Sequence, residues 1–337
     1  MEGINKMLLK EYLKKNKKLK LIVKKFKVIL EYQKDAYHLN KYIAENEKNK
    51  EQIEYKMLLL IHSIEKGMCY PNPRPFGNAK IEELIALLKK YDENLFDKNS
   101  NSYKMAVSII YNWLDFYVLN SWQNNVEYKK VEKYFKETWG NNLNNKKTGF
   151  SDRIINSVKD YNDGTYESVI NTRFSARDYS EKPLSMVDLT KAINLAKKTP
   201  SACNRQMIKA HFITDDNGVN LLSKVLHGTG GLNWKTVKYF VITFDSNSLD
   251  FYGERNQGYL NAGLFAMNLV NSLHSVGIGT CFLQFANTSK EEKMLKEKLK
   301  IPKSERIAVC ISCGYYTKEN RIPVSCRKET EEVFIIH

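Results

Sequence analysis

The sequence predicts an all-helical N-terminal region followed by a layered domain of strands and helices, either α/β or α+β. Three observations carry this. Up to about residue 139, apolar residues recur at three- and four-residue steps, the period of a helix. Gly140–Gly149 then reads as a polar, turn-forming linker. Beyond it, short apolar runs alternate with helical patterns. At 337 residues the chain exceeds one average domain, so two units are expected, 1–145 and 150–337.

Taken in order, residues 5–50 read as helix, with Leu19, Ile22, Val23, Phe26, Ile29, Leu30 and Gln33 on one face and lysines over much of the rest. Such a helix packs on its own protein or lies on an anionic membrane, here through residues 17–30. Ile53–Lys66 is a strongly apolar helix, with Gly67 placed to end it. His62 near its end reads first as a hydrogen-bonded structural residue. Cys69–Gly77 is a proline-punctuated loop, and helices follow at 81–91, 103–122 and 126–139.

In the second unit, Ser185 and Asp188 form a capping-box-like start to a helix running through Lys198, which Thr199-Pro200 ends. Strands are expected at 209–214, 237–244, 277–283 and 307–313, with a terminal one at 333–336. A long buried helix covers 258–276, and Thr288 with Glu291 or Ser289 with Glu292 fits a capping box opening another through Lys300.

The net charge is +15, and residues 1–50 hold 14 lysines against 6 acidic residues, so about half of the surplus sits there. Polyanions, membrane surfaces and phosphorylated ligands are the partners such a charge suits. No apolar run of about 20 residues occurs, so no membrane-spanning helix is expected. Met1–Lys10 lacks the apolar core of a secretory signal. Six scattered cysteines without framework spacing imply reduced thiols and a cytoplasmic protein. Cys310-x-x-Cys313 falls on a predicted strand, where residues three apart face opposite sides, so it reads as buried thiols rather than a zinc or redox pair. Gly228-Thr229-Gly230-Gly231 lacks P-loop spacing and reads as a flexible loop. Nucleic-acid binding is not expected, because Phe26, the aromatic within the lysine run, sits on the apolar stripe.

Four stretches could carry chemistry. Arg173-Phe174-Ser175-Ala176-Arg177-Asp178-Tyr179 sets two guanidinium forks around a hydroxyl, suited to phosphate, although a solvated Arg/Asp turn has the same composition. Pro200–Gln206 is dense in small and amide residues able to read a heterocycle's edge. Gly277–Leu283 has two glycines that would admit a flat ligand close to backbone. Ser325-Cys326-Arg327-Lys328 is a second anion-suited cluster.

In this order the four resemble the FMN-dependent nitroreductase family over roughly residues 165–337. Its R-x-S-x-[RK]-x-[FY] pattern is matched by Arg173, Ser175, Arg177 and Tyr179, and its P-S-x-x-N-x-Q loop by Pro200, Ser201, Asn204 and Gln206. Gly277–Cys281 matches G-[IL]-G-T-C, and Arg327 is the late basic residue. The resemblance implies an α+β fold whose central mixed or antiparallel sheet is flanked by helices, and a homodimer with FMN built into the interface from both chains. It implies that Arg173 and Arg327 hold the FMN phosphate with Ser325 nearby, and that Ser175 meets the phosphate or ribityl chain. Arg177 would face the pyrimidine edge, Asn204 and Gln206 the same ring system, and Leu283 and Gln284 the reactive face. Phe174 is counted with these cofactor-binding residues, although it stands where the family often has a basic residue or histidine, and Gln284-Phe285 stands where it often has glycine. Hydride would pass from NADH or NADPH through flavin N5 to a small nitro- or quinone-like acceptor, with the cofactor carrying the chemistry and no catalytic side chain required. Arg177 would favour negative charge developing on the ring. The N-terminal His62-x-x-Glu65-Lys66-Gly67 and its Pro-rich loop are similar to the front of nitroreductase-like proteins associated with bacterial surface-polysaccharide gene clusters. A flavin-dependent oxidase or biosynthetic role, or a non-catalytic flavin-binding protein with a basic tether, are the alternatives. The helical region is expected to cap the flavin pocket and narrow the acceptor choice.

Overall fold

The computed structural model describes residues 17–42, 44–140, 148–157, 160, 162–233 and 235–337. Most of the Gly140–Gly149 linker (141–147) and the predicted helix before residue 17 lie outside them. The chain opens with helices α1 (Lys17–Tyr42), α2 (Lys50–Met68), α3 (Asn78–Glu93), α4 (Asn101–Leu119) and α5 (Val126–Trp139). Short side chains start several of them. Asn49 accepts from the Gln52 amide, Ser100 from Tyr103, and Asn125 from Glu127 and Tyr128, which satisfies the otherwise orphaned first-turn donors. The apolar faces of α2, α3 and α4 meet in one core containing Ile61, Ile64, Leu84, Ile110, Trp113 and Tyr117.

The second unit is α+β. After β1 (Phe150–Ile154) come α6 (Tyr166–Thr172), α7 (Met186–Ala196), β2 (Ile208–Ile213), α8 (Asp216–Val225) and β3 (Lys238–Asp245). They are followed by α9 (Gln257–His274), β4 (Ile278–Leu283), α10 (Ser289–Lys298), β5 (Glu305–Tyr315) and β6 (Glu319–Pro323). The main sheet is antiparallel with strand order β2-β3-β5-β4, while β1 and β6 form a separate antiparallel pair. One sheet face packs with Val219 and Leu222 of α8 and Leu295 of α10; the other packs with α7 and α9. Cys310 belongs to the first core and Cys313 to the second, both fully buried, so these thiols do point away from each other. Thr288 and Glu291 make the anticipated capping box.

Several expectations need correction. Gly67 does not end α2, which continues to Met68 with Cys69 as cap; it is glycine because a Cβ there would stand 2.2 Å from the Phe76 ring. Ser185 caps α7, but Asp188 accepts from the Tyr315 hydroxyl rather than completing a box, its shorter carboxylate being drawn to the sheet. Residues 333–336 are exposed chain after a 3₁₀ turn at Thr330–Glu332, with no strand to pair with. The apolar stripe of α1 is exposed, with Ile22 56%, Phe26 64% and Ile29 54% open. The helix is held by its polar side instead. Asp35 takes a bidentate bond from Arg255 (2.6 and 2.8 Å), Lys24 donates to Asp250 O, and Lys27 lies over the Tyr252 ring. Among the described residues no helix is long and apolar enough to cross a membrane.

Candidate functional site

Arg173 caps α6, and the chain then turns extended along the β4 edge. The Ala176 amide donates to Thr280 O (2.9 Å), Ser175 bridges Thr280, and Tyr179 bridges Tyr316. Phe174, Ala176 and Tyr179 are buried in the core, whereas Arg173, Ser175 and Arg177 stay half-buried. The Phe174 ring packs on Tyr316 at 5.0 Å, so its side chain faces the core and not a ligand. Tyr316 in turn hydrogen-bonds His274 (2.7 Å), which reaches Thr172 (2.9 Å) and ties the end of α6.

The glycines of Gly277–Leu283 serve this packing. Gly277 leaves α9 with φ +83°, and a Cβ on Gly279 would stand 2.9 Å from that of Ala176 and 2.7 Å from the Tyr316 ring. Leu283 is buried, and Gln284, just past β4, is exposed.

The end of β6 brings Ser325 and Arg327 to the end of α2. Glu65, only 1% exposed, accepts from the Gly149 amide (3.1 Å) and from the backbone of Ser325. Burial pushes its pKa up to about 7, against those two donors and the charges of Arg177 and Arg327. His62 feels Lys66, Arg177 and Arg327; desolvation first and then these charges bring it down to about 4, so the ring is neutral at pH 7. Lys66 is lowered by desolvation and by Arg177. The helical region and the second unit thus share one strongly positive junction. The Arg177 guanidinium donates to Ser175 O (3.2 Å) and that of Arg327 to Ser325 O; among the described residues neither meets a carboxylate within ion-pair distance. Each fork keeps free N–H groups for an anion.

Beside this junction opens a cavity of about 990 Å³. Lys66, Tyr70, Arg74 and Lys80 line it from the helical region, with Asp178 and Gly228–Asn233 opposite. The Gly228–Gly231 loop, which sequence patterning reads only as flexible, is a wall. Gly231, at φ +101°, lets it close on Tyr70, whose ring would lie 2.3 Å from a Cβ. Tyr70, Arg74 and Lys80 went unrecognised as site residues. Their one signal was aromatic and basic residues in and just after a proline-rich loop.

Asn204 and Gln206 are elsewhere. Cys203, Asn204 and Gln206 all have φ near +50°, a left-handed strain that functional loops often hold. Arg205 pins the loop with two 2.8 Å bonds to Glu254 and one to Ser248 O, and Ser201 Oγ accepts from the Gln206 amide. The loop feeds β2, whose Ile208 aligns through Phe244 with Arg306, while Thr280 aligns with Cys313. Four strand spacings across, the last from β4 to Ser175, and the Arg306-to-Cys313 stretch along put the loop roughly 19 Å and 23 Å from Ser175. Within one chain, then, Asn204 and Arg177 cannot hold the same ring system. The hydrogen bonds from Arg205 hold Glu254 down at about 2. A carboxyl so depressed contributes stability fully above its ordinary value of 4.5, lost as pH falls through about 2. Glu254→Gln should therefore speed hydrogen exchange at Gln206 at pH 7, a loosening the unaltered chain shows only in strong acid. Unchanged exchange would show that the strain is held by other contacts.

Residues 239–315 match the model of the Nitroreductase family. Residues 239–315 of the second unit carry a nitroreductase-family domain. Among curated proteins, none matches the sequence. Solved structures similar to the chain include a putative NADH dehydrogenase/NAD(P)H nitroreductase from Parabacteroides distasonis, at 19% identity and TM-score 0.43, covering 51% of this chain and 96% of that one. An FMN-dependent nitroreductase from Clostridium difficile R20291 is 23% identical, with TM-score 0.39, over 44% and 85% of the two chains. A putative nitroreductase from Desulfovibrio desulfuricans, in complex with FMN, is 16% identical, with TM-score 0.43, over 51% and 95%.

Proposed function

We infer that the protein is an FMN-dependent oxidoreductase that passes hydride from NADH or NADPH to a small organic acceptor. The observation that carries this is the positive junction, where Arg177 and Arg327 keep unpaired donors beside a roomy cavity. The residues present fit FMN. Arg173, Ser175, Ser325 and Arg327 are suited to its phosphate and ribityl chain, and Arg177 to the pyrimidine edge, where a fixed positive charge favours the reduced anion. FMN, when bound, supplies hydride transfer between a nicotinamide and an organic acceptor. The amides of Asn204 and Gln206 lie too far away in the same chain, which supports a homodimer in which a second copy supplies them.

The purified protein is expected to be yellow, or to become so with FMN, and to bleach with NADH or NADPH. A preparation that stays colourless in excess FMN overturns the reading. Arg177→Ala and Arg327→Ala each remove charged hydrogen bonds of about 1.5–3 kcal/mol, so FMN should bind roughly 10–100-fold more weakly by fluorescence titration. Wild-type affinity in both variants would move the cofactor elsewhere. The exposed stripe of α1 favours an additional contact with an anionic membrane surface. Sedimentation with phosphatidylserine vesicles tests it, and equal recovery with neutral vesicles counts against it.

A further inference from the structure

Two lysines deeper in the helical region are neutralised: Lys56 by Glu47 and Glu83, Lys90 by Glu47. The cations around the 990 Å³ cavity are not. Among the described residues Lys66, Arg74 and Lys80 make no ion pair, and Lys80 donates only to Ser63 Oγ (2.5 Å). Asp178, the one acidic group on the lining, turns an oxygen to its neighbour's amide at Tyr179 instead. Lys66 is also partly desolvated and repelled by Arg177 and Lys80, a costly arrangement for an ammonium with no ion-pair partner among the described residues. A concave site of this size fits an organic molecule rather than a bare ion, and Tyr70 and Phe76 provide apolar wall for its body. Asp178 follows Arg177 directly, so the cavity adjoins the edge assigned above to the flavin.

We propose that this cavity is the acceptor subsite and that it takes an organic anion, a reducible molecule bearing a phosphate or carboxylate group that Lys66, Arg74 and Lys80 receive. The inference rests on the flavin reading for the reaction but not for the charge preference. The helical region then selects the acceptor by charge as well as by covering the pocket.

The test uses the full-length protein loaded with FMN and three acceptors sharing one nitro group: para-nitrophenyl phosphate, para-nitrobenzoate and neutral para-nitrobenzyl alcohol. The charged pair should exceed the alcohol in kcat/KM by about tenfold or more, the scale of one charged hydrogen bond, and lose that lead as salt rises. The ratio of phosphate to carboxylate rates identifies the natural group. Arg74→Gln and Lys80→Gln should each shrink the preference through KM, and Arg74→Lys should restore part of it, with melting temperature and flavin content read alongside. Equal or better use of the neutral acceptor overturns the proposal. So do variants that raise KM for NADH or NADPH and leave the charge preference intact, which would assign the cations to the nicotinamide donor. Should the protein hold no flavin, the flavin reading fails by itself. Calorimetric titration with phenyl phosphate against benzyl alcohol then still decides the cavity: tighter phenyl phosphate supports it, and parity sinks it.

Discussion

Trp113→Ala should destabilise the protein by about 3–5 kcal/mol, the usual cost of emptying a fully buried tryptophan site. Trp113 is wholly buried, its ring lies 4.1 Å from that of Tyr117, and its indole N–H donates to Phe76 O (2.9 Å). The hydroxyl of Tyr117 donates to the same carbonyl and accepts from the Phe76 amide (both 2.9 Å). Gly77, at φ +84°, sits directly over the indole, and the Phe76 ring covers Gly67. These contacts fix the loop that carries Tyr70 and Arg74, so the loss should reach the site as well as the core. Trp113→Phe keeps much of the volume but drops the indole bond, and should cost less than the alanine. Denaturant unfolding of the three proteins checks the order. A cost under about 1 kcal/mol for Trp113→Ala would mean that the helical core collapses around the gap or adds little to overall stability.

The helical core and the main sheet were legible because their patterns are long and regular. The capping box at Thr288 and the apolar runs of β3 and β5 each point to one structure. The strands β1 and β6 were missed, since Phe150–Ile154 is largely exposed and its pairing partner lies near the other end of the unit. Periodicity within one segment cannot report such a long-range pair. The apolar stripe of α1 was visible, but its orientation was not, because Asp35 and Arg255 are 220 residues apart in the chain. For the site, the order of motifs singled out Arg177, Ser325 and Arg327, which the fold brings together around Glu65. It could not reveal that Glu65 and Lys66 stand among them, since that depends on how two units pack. The amide loop was legible as chemistry and illegible as geometry. Strand order, which sets its distance from Ser175 and Arg177, is not written in the loop itself.

The stability of the junction should fall as pH rises from about 4.5 to 7, opposite to the behaviour of an ordinary salt-bridged carboxylate. Glu65 is held near 7 in the folded protein against an ordinary value of 4.5, so the folded state keeps a proton that the unfolded chain releases. Stability from that proton is full below 4.5, declines across this window, and levels off above 7, a loss of about 3 kcal/mol. Burial is the cause, and the opposing groups are the Gly149 and Ser325 amides and the charges of Arg177 and Arg327. Glu65→Gln keeps an acceptor for both amides and has nothing to titrate, so its melting temperature should be flat across the window and should match or exceed the wild type at pH 8. An anion seated on Arg177 and Arg327 screens the charges that pull Glu65 down, so its binding near pH 7 should draw in a proton. Calorimetric titration with FMN in buffers of different ionisation enthalpy measures that uptake. Identical apparent enthalpies in every buffer, together with parallel pH–stability curves for the two proteins, would remove Glu65 from both roles.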